Sequence, residues 1–130
     1  MHDEPDYLDL MLDFRRAFSR ADRNGLVAVL SDDFEWHTHT FDPDAPLPTG
    51  RIIAGVDAVL AEIEWRRAHW TDVRYDGLVE RCAPGLVTQT FTVSGSDRGR
   101  RFKVAAVDLY TITEDRRIAR KDTYWKQPAR

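Results

Sequence analysis

From Tyr7 to Ala21, apolar residues recur three and four positions apart: Tyr7, Leu10, Met11, Phe14 and Phe18. That spacing lays a single stripe along a helix. Asp22 to Leu30 reads as a second, shorter helix with Asp22 as its N-cap, although Gly25 weakens it. The period then changes. Phe34, Trp36, Thr38 and Thr40 alternate with Glu35, His37 and His39, which predicts a strand with Trp36 turned inward. The stretch Asp42 to Gly50 holds three prolines and reads as loop. Gly55 to Ala68 predicts a third helix burying Val56, Val59, Leu60 and Ile63. Four strands follow, at Val73 to Cys82, Leu86 to Ser94, Arg101 to Thr111 and Arg117 to Lys126. Turns at Pro84-Gly85, Gly95 to Gly99 and Glu114-Asp115 separate them. This order predicts an α+β fold: three helices on one face of a strongly curved, mostly antiparallel sheet, making a cone with an apolar pocket.

The last two strands each carry a carboxylate. Alternation puts Asp108 on the face of Val104, Ala106 and Tyr110, and Asp122 on the face of Arg120 and Tyr124. A carboxylate among small apolar neighbours is costly unless it is paired, hydrogen-bonded or kept protonated. Both are therefore candidates for chemistry, as oxyanion partner or as base. Asp42, before Pro43 in the loop, is a third candidate base. Trp36, Thr38, Thr90 and Tyr110 are candidate pocket walls, with Tyr124 on the Asp122 face. A row of threonines, Thr88, Thr90 and Thr92, shares one face of its strand; facing water is as ordinary as lining the pocket, and the inward placement is taken. Val87, Phe91 and Val93 then face outward and offer a surface for a homodimer.

Composition narrows the classes. A chain of 130 residues, 42% hydrophobic, suits one domain over residues 1–130. The net charge of −3 and the lack of a basic block argue against nucleic acid. No apolar run approaches a membrane span. The acidic opening Met-His-Asp-Glu-Pro-Asp is unlike a signal peptide, and Cys82 is the only cysteine, so a cytoplasmic protein is expected. His37 and His39, with Asp44, have metal-ligand residue types, but alternation sets the histidines opposite Trp36, and no metal is expected. His69 follows a helix end with Arg66 and Arg67, where a positive charge complements the negative end of the helix dipole. No phosphate-binding loop is present, so no cofactor is expected.

The run Phe18-Ser-Arg-Ala-Asp22, followed by Leu26 to Trp36, resembles the two-helix entry of the nuclear transport factor 2 (NTF2-like) superfamily. Pro48-Thr-Gly50 leading to Gly55-Val-Asp-Ala-Val, and Thr113 to Ile118 with Tyr124-Trp125, resemble its SnoaL-like and ketosteroid-isomerase-like branch. The resemblance spans about Tyr7 to Lys126. It implies a polyketide-cyclase-like or isomerase-like fold that takes a small, largely apolar molecule. Such a protein moves a proton on it without a cofactor, as an isomerase, cyclase or dehydratase; the alternative is a non-catalytic ligand-binding or dimerisation module. Val107-Asp108-Leu109 resembles the site of the isomerases' oxyanion aspartic acid. Their oxyanion tyrosine falls at Phe14, which lacks the hydroxyl and is left as a candidate substrate-binding wall. Their base falls near Thr38, with Asp42 matching only if the strand end slips by four residues. Limonene-epoxide-hydrolase-like members would place an aspartate at Asp122, but its partners fall at Thr90 and Thr92.

Overall fold

The computed structural model describes residues 6–38 and 50–126. Asp42, His39 and Asp44 lie outside the described residues. Three helices, α1 (Leu8–Arg20), α2 (Arg23–Val29) and α3 (Gly55–His69), accompany six strands. The strands are β1 (Leu30–Thr38), β2 (Arg51–Ala54), β3 (Trp70–Ala83), β4 (Leu86–Asp97), β5 (Arg100–Ile112) and β6 (Ile118–Trp125). They form one open sheet in the order β2-β1-β6-β5-β4-β3. Only β1 and β6 run parallel; the other neighbours are antiparallel. The predicted α+β architecture is the observed one. β2 is an addition: four residues after a proline-rich stretch carry too short a pattern to announce a strand.

α1 buries the stripe that its spacing predicts: Leu10, Met11, Phe14 and Ala17. It ends at Ala21 in the left-handed region, φ 51°, where the Asp22 N–H donates to the Ala17 carbonyl. α2 then folds straight back on α1. Gly25 permits this: a Cβ there would lie 2.8 Å from Ala17 Cβ and 2.9 Å from Asp22 Oδ2. α3 has no clean stripe, because Glu62 is buried beside Val59 and Ile63. Its carboxylate is held by Arg66 at 2.8 Å and by Arg51 of β2.

β3 bends where its register with β4 shifts, between Thr71 and Arg74 and between Asp76 and Val79. Asp72 and Gly77 there have positive φ, 54° and 69°. Such bulges increase the local twist and curl the sheet toward the helices.

β4 faces the other way from the sequence expectation. Val87 and Val93 are buried, and Phe91 and Val93 line the cone's interior. The register sets Val87 opposite Tyr110, Gln89 opposite Asp108 and Phe91 opposite Ala106, all on the inner face. Thr90 pairs with Val107, which pairs with Tyr124, on the outer face. The apolar set went to the core because burial of valine and phenylalanine outweighs that of threonine. The residues that suggested a dimer surface are therefore interior.

Substituting Gly25 by alanine tests the α1–α2 contact. Helix propensity alone would stabilise by about 1 kcal/mol. The clash with Ala17 should instead lower stability by about 1–3 kcal/mol. Urea unfolding should show an earlier midpoint; a later one would contradict the close approach.

Candidate functional site

A cavity of about 280 Å³ lies between the sheet and the helices. Its walls are mainly aromatic: Phe14 and Phe18 of α1, Trp36 of β1, Trp70 of β3, Phe91 of β4 and Trp125 of β6. Partly exposed Tyr75 and Leu78, from the bent β3, mark its open side.

The polar end of the cavity comes from β5 and β6. Tyr110 is paired with Lys121, and Asp108 with Thr123. Side chains on one face of an antiparallel pair meet across and on the diagonal. Lys121 Nζ accordingly lies 3.8 Å from Asp108 Oδ2, an ion-pair distance longer than a hydrogen bond. Both residues are buried, Lys121 at 7% exposure and Asp108 at 5%. Four rings surround the Nζ, with centroids at 4.4 Å (Trp36), 4.8 Å (Phe18), 5.3 Å (Phe14) and 5.6 Å (Tyr110). Desolvation pulls the Lys121 pKa down from 10.5 to about 8; the Asp108 charge opposes that shift and Arg66 adds to it.

Around this pair the side chains are pinned. The Tyr110 hydroxyl donates toward Gln89 Oε1 at 3.3 Å and Asp108 Oδ2 at 3.4 Å. Burial, then the Asp108 charge, holds the phenol pKa well above its usual value, so it stays a donor. Gln89 donates to Glu80 at 2.6 Å, which Arg15 pairs at 2.8 Å. The Trp36 indole N–H donates to Thr123 Oγ1 at 3.0 Å. Arg66 places its guanidinium 4.6 Å from the ring centroids of both Trp36 and Trp70. Two buried polar atoms of the cavity walls have no partner among the described residues: Asp108 Oδ1 and Trp70 Nε1. A buried polar atom without a partner is costly, so these two are ready to meet a ligand.

Of the residues predicted from sequence, Asp108, Phe14, Trp36 and Tyr110 line the cavity. Asp122 does not. It is on the opposite face of β6, gripped by Arg120 through contacts of 2.9 and 3.0 Å. Tyr124, on that same face, is 54% exposed. Thr90 is outside with it, and Thr38 commits its hydroxyl to the Arg51 carbonyl at 3.2 Å. His37 was expected on a solvent or subunit face, yet it is buried, with Nε2 3.1 Å from Glu35. No group of three metal-ligating side chains gathers among the described residues.

Lys121 is the residue that sequence reasoning passed over. A signal was available: the chain has 16 arginines but only three lysines, Lys103, Lys121 and Lys126. A lysine in alternation with Thr123 and Trp125 shares their face.

Comparison with known proteins gives the family and the fold. The SnoaL-like domain family matches residues 11–121. The chain belongs to the SnoaL-like family. Its fold is shared with a nuclear transport factor 2-like protein of Burkholderia xenovorans, at TM-score 0.78 and 19% identity, covering 95% of this chain and 92% of that one. A ketosteroid-isomerase-like protein of Catenulispora acidiphila, in complex with trimethylamine, gives 0.69 and 16%, covering 92% and 86%. A candidate polyketide cyclase of Pseudomonas putida gives 0.67 and 19%, covering 94% and 92%. No curated protein is significantly similar to the SnoaL-like chain in sequence. Among its described residues, no helix is long and apolar enough to cross a membrane.

The lowered lysine pKa makes a stability prediction. Unfolded, the amine keeps its proton up to about 10.5; folded, it releases it near 8. Between those values the unfolded state binds more protons, so this group makes stability rise with pH. Against Lys121→Met, the natural chain should gain about 3 kcal/mol across that window. Urea unfolding of both proteins at several pH values measures it. A difference that stays flat from pH 8 to 10.5 would contradict the buried amine.

Proposed function

We propose that the cavity binds a small, largely apolar carbonyl compound and moves a proton at the carbon beside its carbonyl. The reaction would be of isomerase, cyclase or dehydratase type. The observation that carries this reading is the Lys121–Asp108 pair, a cation and a carboxylate 3.8 Å apart at the polar end of an aromatic cavity. Removing a proton next to a carbonyl puts negative charge on the oxygen. A positioned cation in a dry site stabilises that charge strongly. The Lys121 ammonium would take that part. Asp108, with Oδ1 unpartnered, would accept the proton and return it at another position.

The Tyr110 hydroxyl, which also reaches Gln89, would hold the carboxylate in place. The rings of Phe14, Phe18 and Trp36 would seat the apolar body of the ligand and exclude water. The reading moves the base role to Asp108, because Asp122 is turned out of the cavity. It uses only side chains of this chain. The name of one neighbour, a candidate polyketide cyclase, is in keeping with it.

The bicyclic ketone 2-tetralone is a suitable probe. In deuterated buffer, the protein should speed exchange of the protons beside its carbonyl, followed by NMR. Asp108→Asn should slow that exchange by about 100-fold or more, while quenching of tryptophan fluorescence shows the probe still bound. Lys103→Met, on an exposed position, should leave it unchanged. Binding without any exchange above buffer would overturn proton transfer and leave a ligand-binding module.

A further inference from the structure

We propose that Lys121 is a nucleophilic amine, which condenses with a ketone or aldehyde in the cavity to form an imine. The inference rests on the reading above and deepens it: the group that stabilises charge on the substrate becomes bonded to it.

Four observations lead there. The amine is in the cavity wall, and its nearest charged partner, Asp108 at 3.8 Å, is beyond hydrogen-bond distance, so its nitrogen is not locked to that carboxylate. The residue is a lysine in a chain that otherwise prefers arginine, 16 to three. A guanidinium would stack better among aromatic rings and never lose its proton; an amine can. Asp108 supplies a proton carrier with a free oxygen beside it. The low pKa of Lys121, about 8, leaves about a tenth of it neutral at pH 7.

The steps balance. The ammonium passes one proton to Asp108, through one bridging water or once a side-chain rotation brings the two within hydrogen-bond distance, and the freed lone pair attacks the carbonyl carbon. A carbon–nitrogen bond forms, and the carbonyl π pair moves to oxygen. That oxygen takes the proton from Asp108. A second proton passes from nitrogen through Asp108 to the hydroxyl, and the carbon–oxygen bond breaks to release water. The product is a protonated imine, with Asp108 again a carboxylate. The positive nitrogen now draws electrons from the neighbouring carbon, whose proton Asp108 is placed to take.

The charged and titratable groups that share the cavity are Asp108 and Tyr110 of β5, Arg66 of α3, Tyr75 of β3, and Arg15 of α1 with its partner Glu80 of β3. Arg66 lowers the amine pKa and Asp108 raises it. The neutral amine is the nucleophile, so imine formation should accelerate as pH rises through about 8.

The test is reductive trapping of the full chain with 2-tetralone and sodium cyanoborohydride. Mass spectrometry should find one ketone joined with loss of its oxygen. Peptide mapping should place it on Lys121, about 10-fold faster than on Lys103 or Lys126. Lys121→Arg, which keeps the charge, should lose the adduct, with circular dichroism confirming its fold. Should that variant not fold, the mapped position and pH profile in the natural chain decide alone. Labelling spread evenly over the three lysines and the N-terminus, or none at Lys121, overturns the imine. Continued proton exchange on 2-tetralone in Lys121→Arg overturns the imine and leaves the proton-transfer reading standing. Absence of both adduct and exchange in the natural chain overturns both.

Discussion

The pairing register of β5 and β6 is the constraint on which the site depends. It sets Tyr110 opposite Lys121 and Asp108 opposite Thr123. A slip of one residue would reverse every side chain of β6. Asp122 and Tyr124 would enter the cone, and Lys121 would leave it. The register is held from both sides, since β5 pairs with β4 along its whole length and β6 runs parallel to β1. Trp36 on β1 adds a side-chain lock through its hydrogen bond to Thr123.

That register buries an amine and a carboxylate together, which is a poor way to gain stability. Taking both charges out of water costs several kcal/mol each, and a pair at 3.8 Å recovers it incompletely. The aromatic rings around Lys121 return part of the cost, by presenting their negative faces to the cation. The remaining polar groups of the cavity are mostly satisfied: Gln89 by Glu80, Glu80 by Arg15, Trp36 by Thr123. Asp108 Oδ1 and Trp70 Nε1 are the exceptions. A cavity satisfied nearly everywhere except around one charged pair is organised for a visitor at that pair.

Much of the fold was legible because burial leaves a period in the sequence. The stripe of α1 and the alternation of β5 predicted which faces turn inward, including Phe14, Asp108 and Tyr110. The errors have physical causes. In β4 the choice lay between a threonine row and an apolar row, and the apolar row went inside. In β6 both faces are mixed, so hydrophobicity did not discriminate, and Asp122 took the attention. Arg120 beside it was the hint that Asp122 has its own partner outside. β2 was too short to show a period, and Asp42 lies outside the described residues. A buried polar pair contributes no apolar periodicity, which is why half of this site had to be seen in three dimensions.

The most direct test of the account is the titration of the lysine Nζ itself. With lysine labelled with carbon-13 at Cε, the resonance that disappears in Lys121→Met identifies Lys121. This resonance should titrate near pH 8. A midpoint at or above 10.5 would mean an ammonium that burial does not destabilise, and would contradict the desolvated amine on which the site's chemistry rests.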